Sequence, residues 1–184
     1  RTVLGWAVEN GSIDNNVAAG VTVRDAKVRK EARLPYADAD LKVIFSSPIY
    51  TEGARPTAGG GEAAYWLPLI ALYMGPRLEE MGQALVSDVV TVGKVLCLSI
   101  NDEGEGKSVK TASSRRTVPI HPELIRLGFK DYLSTLKGTG RLFPELQQDQ
   151  FDKWTGNFSQ WWGRWARGLG ITDRRKGFHS FRHT

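Results

Sequence analysis

The chain has little of what would mark a secreted or membrane-embedded protein. Its single cysteine, Cys97, has no second cysteine to pair with, so an internal disulfide is excluded and a reducing compartment is expected. No apolar run approaches the roughly 20 residues that span a bilayer. The first residues also lack the long apolar segment of a signal peptide. From these absences we expect a cytoplasmic protein with no membrane partner.

Repeats and metal-binding patterns are missing as well. The sequence contains no internal repeat and no long low-complexity tract. His179 and His183 have the four-residue spacing of two zinc ligands on one helical face. Ser180, however, stands where the metalloprotease pattern requires glutamate, and no third ligand is suggested nearby. We therefore expect neither a metal nor a cofactor.

Positive charge and apolar residues are what the chain does contain. Lysine and arginine number 25 against 20 aspartate and glutamate, which gives a formal net charge of +5. This balance favours a polyanionic partner. With 184 residues, 41% of them hydrophobic, the chain suffices for one domain and a remnant of another. Because it begins with Arg1 rather than methionine, we expect it to be a piece of a longer protein.

Hydrophobic periodicity predicts that most of the chain is helical. Residues 62–74 are apolar nearly all round and predict a buried helix, which Gly75 ends. Pro76 is well placed to begin the next helix, which carries Arg77 and Glu80 on one face. Three further helices are predicted towards the C-terminus: one from His121 to Leu136, one over residues 157–168 with an aromatic stripe in the core, and one beginning near His179. Near the N-terminus, residues 1–10 are expected to end a helix, and Asp38 is expected to cap a short one.

Three short runs of strand-forming residues interrupt this helical pattern. They cover residues 89–92, 94–100 and 116–120, and glycine-containing stretches between them supply turns. Because the runs follow one another without intervening helices, we expect an antiparallel meander rather than β-α-β units. The predicted fold class is α+β, mostly α-helical, with a small antiparallel three-stranded sheet.

The residue types that carry chemistry suit a phosphodiester. His179 and Arg182 are three residues apart at a predicted helix start, so both face one side. A histidine can donate a proton or a hydrogen bond to a phosphate oxygen, and an arginine can hold two such oxygens with its planar guanidinium. Arg77 and Lys110 add two more cations. The alternative is a surface histidine beside an ordinary arginine.

Other basic residues are candidates for contacts to the phosphates along a nucleic acid backbone. Lys110 begins a predicted hairpin segment and can reach into a cleft as a mobile charge and proton donor. The predicted backbone-contacting residues are Arg115, Arg116, Arg174, Arg175 and Lys176. The basic stretch at residues 20–35 is an extended connector, for which a solvated linker with no partner is the alternative.

Joined together, these segments resemble the tyrosine recombinases, also called phage integrases. Residues 73–81 are similar to the first arginine box of that family, T-G-x-R-x-x-E-[LI], with Met74 in place of threonine. Lys110-Thr111 and the run Arg116-Thr117-Val118-Pro119-Ile120 resemble the hairpin of the catalytic lysine. Residues 177–184 resemble the start of the second box, H-x-x-R-H-T. The order and spacing of the three segments are specific, although each alone is weak.

The resemblance implies site-specific DNA recombination or integration through a covalent 3′-phosphotyrosine, without a metal. Arg77 and Arg182 would hold the scissile phosphate, and His179 would assist in handling a proton. Lys110 would protonate the leaving 5′ oxygen. Glu80 and His183 would support this set, Glu80 by orienting its surroundings. The attacking tyrosine is expected beyond Thr184, so none of the five tyrosines in the chain is assigned that role.

The resemblance also implies a division into domains and a partner. Residues 1–19 would end a DNA-clamping core-binding domain, residues 20–35 would be a basic interdomain linker, and residues 36–184 would be a catalytic domain that is incomplete at its C-terminus. The expected partner is double-stranded DNA, on which the full-length protein would assemble as a tetramer. The protein would be bacterial or phage-encoded and would act in the cytoplasm.

Two alternatives remain open at this stage. One is a DNA-binding module that no longer does chemistry, and the other is a type IB topoisomerase-like enzyme with a similar set of active-site residues. The compact spacing of the boxes argues against the second. The DNA target, and the choice among integration, excision and dimer resolution, are not indicated by any motif.

Overall fold

A computed structural model describes residues 2–21, 32–104, 106–109, 111–136 and 140–184. The chain divides into two compact units between Ala32 and Arg33. The first unit contains the helix α1 (Thr2–Glu9), which ends where Gly11 adopts a left-handed conformation. Most of the predicted linker, residues 22–31, lies outside the described residues. The predicted domain boundaries at residues 19 and 35 therefore stay a prediction.

The second unit is mostly helical. It contains seven helices among its described residues: α2 (Asp38–Phe45), α3 (Pro48–Thr51), α4 (Glu62–Met74), α5 (Leu78–Gly82), α6 (Pro122–Arg126), α7 (Phe129–Thr135) and α8 (Gly156–Gly168). Short 3-10 turns supplement them at Thr57–Gly59, Val86–Asp88, Ala112–Ser114 and Phe178–His183. Within the described residues, no helix has the length and apolar character needed to cross a membrane.

One antiparallel sheet interrupts the helices. Its strands are β1 (Val89–Val92), β2 (Val95–Ile100) and β3 (Arg116–Pro119), in the order β1-β2-β3. The register of β1 and β2 leaves a two-residue loop, where Gly93 has the positive φ that such tight hairpins require. The predicted α+β class, mostly helical with a three-stranded antiparallel meander, is confirmed.

The core is built around α4 and the aromatic stripe of α8. Both Leu67 and Ile70 of α4 are buried. On α8, Phe158 and Trp162 are almost fully buried, and the Trp162 indole N–H donates to the hydroxyl of Tyr36 at 3.0 Å. The prediction that this stripe belongs to the core, rather than to a surface for stacking bases, is confirmed.

The helix that carries the first arginine box begins later than predicted. As expected, α4 ends at Gly75, which has a left-handed conformation. Pro76 does not begin α5, because Arg77 takes the capping position and Leu78 is the first helical residue. The physical reason is that the Glu80 carboxylate accepts the backbone N–H of Arg77 at 2.8 Å and satisfies a donor at the helix start.

Two further helix predictions need correction. The single helix predicted from His121 to Leu136 is two helices, because Gly128 adopts a left-handed conformation between α6 and α7. The last predicted helix is the 3-10 turn at Phe178–His183 instead. Since residues three apart eclipse one another in a 3-10 helix, His179 and Arg182 still lie on one side.

Candidate active site

Arg77 is positioned by the helix that it caps. Its Nη1 atom donates to Glu80 Oε1 at 2.7 Å and contacts Ser114 Oγ at 3.4 Å. Together with the backbone bond described above, Arg77 is therefore bound to Glu80 at two points. This local pairing follows from a spacing of three residues across a helix start.

Arg116 reaches the same carboxylate from β3. Its Nη2 atom donates to Glu80 Oε2 at 2.8 Å, and its Nη1 atom donates to the carbonyl oxygen of Ser114 at 2.8 Å. The side chain of Glu80 is only 4% exposed, whereas those of Arg77 and Arg116 are 41% and 34% exposed. A buried carboxylate thus holds two arginines whose outer surfaces remain accessible.

The charge of Glu80 is stabilised by its two partners. Burial acts to raise the pKa of Glu80, but hydrogen bonds from Arg116 and from Arg77 outweigh burial and hold the pKa below its ordinary value. The carboxylate is therefore ionised at neutral pH, and both arginines keep their partner across the physiological range.

Arg182 lies close enough to this pair for the charges to interact. Loss of solvation and the positive charge of Arg77 lower the pKa of Arg182, and Glu80 and Arg116 also act on it. Within the part of the chain that the structure describes, Arg182 makes no hydrogen bond and no ion pair. Three guanidinium groups against one carboxylate leave a local excess of two positive charges. We call Arg77, Arg116 and Arg182 with Glu80 the arginine cluster.

His179 stands beside the arginine cluster. Its ring packs edge-on against His183, with centroids 4.9 Å apart. Loss of solvation lowers the pKa of His179, and the positive charges of Arg182, His183, Arg33 and Arg77 lower it further. The neutral imidazole, which has one N–H donor and one acceptor nitrogen, is therefore favoured at neutral pH.

Two concave surfaces adjoin these residues. A cleft of about 490 Å³ is lined by Arg77, Glu79, Glu80, Ser108, Val109 and Lys153. A larger groove of about 780 Å³ runs along α8 and the segment that leads to His179, and its basic lining residues are Arg33, Arg167, Arg174 and Lys176. Arg77 thus belongs to the smaller cleft, while His179 belongs to the larger groove.

Lys110 lies outside the described residues, so its predicted role stays a prediction. Its chain neighbours are described on both sides. Val109 lines the cleft, and the hydroxyl of Thr111 lies 3.0 Å from that of Ser114, which also contacts Arg77. The backbone on both sides of Lys110 therefore adjoins Arg77 or its contacts.

The predicted backbone-contacting residues lie in different surroundings. Arg116 belongs to the arginine cluster rather than to an open basic hairpin. Arg115 is exposed and makes a two-point ion pair with Asp102. In the second basic run, Arg174 is exposed, Arg175 pairs with Asp173, and Lys176 pairs with Asp40. Their contact with DNA stays a prediction.

Four of the five tyrosines have raised pKa values, so their hydroxyl groups lose a proton less readily and are poorer nucleophiles. Burial raises the pKa of each of Tyr36, Tyr50, Tyr65 and Tyr132, in the case of Tyr36 to about 12. The fifth, Tyr73, stacks on His121 at the far end of α4 from Glu62.

Among the described residues, no group of three or more potential metal ligands is present.

Several residues that shape the cleft were not among those predicted from the sequence. The side-chain amide of Gln83 makes two hydrogen bonds with the backbone of Ser108, at 2.8 and 2.9 Å. Next to it, the buried Lys107 ammonium pairs with Asp88 at 2.8 Å and also contacts Asn101. Nothing in their local sequence distinguishes these residues from surface polar ones.

Comparison with protein-family models, with curated proteins and with solved structures finds no significant match to this chain.

Proposed function

We propose that this chain is the catalytic part of an enzyme that cuts and rejoins DNA strands through a covalent 3′-phosphotyrosine, as its resemblance to the tyrosine recombinases implies. The observation that carries the proposal is the arginine cluster. Arg77, Arg116 and Arg182 come from three separate segments and gather near one buried carboxylate. In this proposal the described α+β unit is the catalytic domain of that family.

The arginine cluster suits displacement at phosphorus. Negative charge builds on the non-bridging oxygens during such a reaction, and fixed donors aimed at those oxygens lower the barrier most. Glu80 fixes two of the arginines before substrate arrives, which reduces the ordering that binding would otherwise require. Arg182, which has no partner among the described residues, has its whole guanidinium available for two phosphate oxygens.

His179 supplies a group that can exchange a proton close to this charge. Its lowered pKa keeps it neutral at neutral pH, so it can donate one hydrogen bond to a phosphate oxygen and still accept a proton. In the proposal, Lys110 protonates the leaving 5′ oxygen, and a tyrosine that follows the second arginine box makes the attack. Residues 1–19 belong to a clamping domain, and the full-length protein forms a tetramer on DNA.

The first test is DNA binding. The chain is expected to bind a short duplex of arbitrary sequence, with an affinity that falls linearly on a log–log plot against salt by about 0.9 per phosphate neutralised. Fluorescence anisotropy with a labelled duplex over a KCl series measures this slope. An affinity that does not depend on salt, or no binding at low salt, contradicts the proposal.

The second test separates an enzyme from a binding module. The protein that carries the predicted downstream tyrosine is incubated with nicked duplexes whose sequence is randomised around the nick, and covalent complexes are recovered after denaturation. We expect DNA linked to the protein through a 3′ phosphate. Binding without any adduct would favour the inactive DNA-binding module, and relaxation of supercoiled DNA without site preference would favour the topoisomerase-like enzyme.

A pH dependence is expected from His179. DNA phosphates should raise the depressed pKa of His179, so binding takes up a proton and affinity rises as pH falls from about 7.5 to 5.5. The expected gain is up to about tenfold, the change that corresponds to one unit of pKa. His179→Gln should remove most of this gain in an anisotropy titration at each pH.

A matched control for this experiment is His121→Asn, in which the amide oxygen replaces the ring nitrogen that accepts the backbone N–H of Glu123 at the start of α6. That variant should retain the full pH dependence. If His179→Gln binds DNA with the same pH dependence as the unchanged chain, His179 does not face the bound phosphates.

A further inference from the structure

One wall of the cleft beside Arg77 is a tightly constructed turn at residues 149–153. The Asp149 carboxylate accepts the backbone N–H of Phe151 at 2.8 Å and that of Lys153 at 3.0 Å. Asp152 adopts a left-handed conformation with φ of 56°, which is uncommon for a residue other than glycine. These contacts determine the direction in which the chain presents Lys153.

The same wall is joined directly to the helix that carries Arg77. The Glu79 carboxylate accepts the backbone N–H of Trp154 at 2.9 Å and that of Thr155 at 3.1 Å, along with the Thr155 hydroxyl. On α5, Glu80 binds Arg77 while the adjacent Glu79 holds the residues that follow Lys153. A single short helix therefore fixes both cations relative to each other.

Two glycines allow this close approach. A Cβ atom on Gly82 of α5 would come within 2.0 Å of the Thr155 methyl group, and one on Gly156 would come within 1.7 Å of an Asp149 carboxylate oxygen. Neither position tolerates a side chain without moving the wall. The packing that brings Lys153 beside Arg77 thus depends on several residues of otherwise unremarkable sequence.

A second segment of the cleft lining is equally well held. Ser108 and Val109 form it, and Gln83, which is 1% exposed, binds both backbone groups of Ser108. The buried pair of Lys107 with Asp88 anchors the preceding residue. Two of the backbone segments that line the cleft with Arg77 are therefore fixed in place by side chains.

Among the described residues that line this cleft, Lys153 is the cation besides Arg77. Its side chain is exposed, and in the described ranges it makes no hydrogen bond or ion pair. Two carboxylates that contact the backbone of this wall, Glu79 of α5 and Asp149 of the turn, are engaged by backbone N–H groups. A lysine held at its backbone beside an arginine, with its ammonium unengaged, is suited to bind an anion.

We propose that Lys153 binds a backbone phosphate of duplex DNA, next to the phosphate that Arg77 and Arg182 hold. This inference rests on the proposed function and adds to it a second phosphate site and the residue that occupies it. Lys153 does not take part in the chemistry at the reacting phosphate. It fixes the register of the strand, as contacts to neighbouring phosphates do in protein–DNA complexes.

The test measures the salt dependence of duplex binding by fluorescence anisotropy. Lys153→Gln should reduce the magnitude of the log–log slope by about 0.9, the value for one phosphate contact. Lys153→Arg should restore the slope. Lys130→Gln, which replaces an exposed lysine on α7 away from the cleft, is the control and should leave the slope unchanged. The melting temperatures of these variants should equal that of the unchanged chain, since the turn is held by backbone contacts.

The double variant Arg77→Ala/Lys153→Gln tests whether two phosphates are involved. If Lys153 holds its own phosphate, Lys153→Gln should reduce the slope by about 0.9 in the Arg77→Ala background as well as in the unchanged chain. If Arg77→Ala alone abolishes the effect of Lys153→Gln, the two residues share one phosphate and the second site does not exist.

The outcomes separate this inference from the proposed function. If the unchanged chain does not bind duplex DNA, both are overturned. If it binds with the expected slope and Lys153→Gln has that same slope, the phosphate site at Lys153 is overturned while the proposed function stands.

Discussion

Arg77→Ala and Arg182→Ala should each slow covalent adduct formation by about a hundredfold or more, the loss seen when one preorganised charge-stabilising donor is removed. The measurement is single-turnover trapping on a denaturing gel, with the protein that carries the downstream tyrosine and a saturating nicked substrate. Because the substrate is saturating, a lower rate reflects a slower chemical step and not weaker DNA binding. The effect is large because both guanidinium groups act on charge that appears only in the transition state.

The matched control for the arginine variants is Arg126→Ala. Arg126 also pairs with a glutamate three residues away, Glu123, but this pair is exposed on α6 and is not part of the arginine cluster. Arg126→Ala should form adduct at the wild-type rate. Adduct formation at that same rate by Arg77→Ala or Arg182→Ala would show that these residues do not hold the reacting phosphate.

Lysine at position 77 gives a second comparison. A lysine keeps the charge but cannot donate to Glu80 and to a phosphate in one plane, so Arg77→Lys should recover only part of the lost rate. Residues 1–184 alone should form no adduct, because the proposal assigns the attack to a tyrosine that follows the second arginine box; burial also raises the pKa of four of the five tyrosines present. An adduct from this chain alone would mean that one of those five tyrosines attacks.

The second large effect is expected on stability. Glu80→Ala should lower the free energy of unfolding by about 3 kcal/mol, because it removes a buried carboxylate that accepts from two arginine side chains and from the backbone N–H of Arg77. For a chain of this length that loss corresponds to a fall in melting temperature of roughly 6–12 °C. Thermal and urea unfolding followed by circular dichroism measure both quantities. Nonspecific affinity for duplex DNA should not fall, since the removed charge is negative.

The pH dependence of this effect gives an independent check. The pKa of Glu80 in the folded chain lies below its ordinary value of 4.5, so its stabilising contribution is fully present above that value and is lost as pH falls through the folded pKa. Glu80→Gln should therefore be less stable than the unchanged chain at pH 7. The difference should shrink in acid.

Glu123→Ala is the control for the stability experiment, since it breaks an exposed arginine–glutamate pair with the same spacing. Its melting temperature should stay near that of the unchanged chain. If Glu80→Ala and Glu123→Ala have equal effects, or if the stability difference for Glu80→Gln persists at acid pH, the carboxylate of Glu80 does not hold the arginines in solution.

Elements whose signals are local could be predicted from the amino-acid sequence alone. The apolar run of α4 and Gly75 behind it predicted that helix to the residue, since helix periodicity and a left-handed cap act over a few positions. The strand pattern and Gly93 predicted the sheet order for the same reason. The contact of Arg77 with Glu80 was also predictable as a pairing across three residues.

The way in which distant segments combine at the site depends on tertiary packing and could not be predicted in the same way. Arg116 was predicted to contact backbone phosphates, but its ion pair with Glu80, 36 positions earlier in the chain, was not predicted. Gln83 and Lys153 carry no local sequence signal. Gln83 matters because its side chain binds the backbone of Ser108. Lys153 matters because Glu79 binds the two residues that follow it, which are 75 and 76 positions from Glu79 in the chain. Such contacts depend on the packing of the whole unit, which local propensity and spacing do not encode.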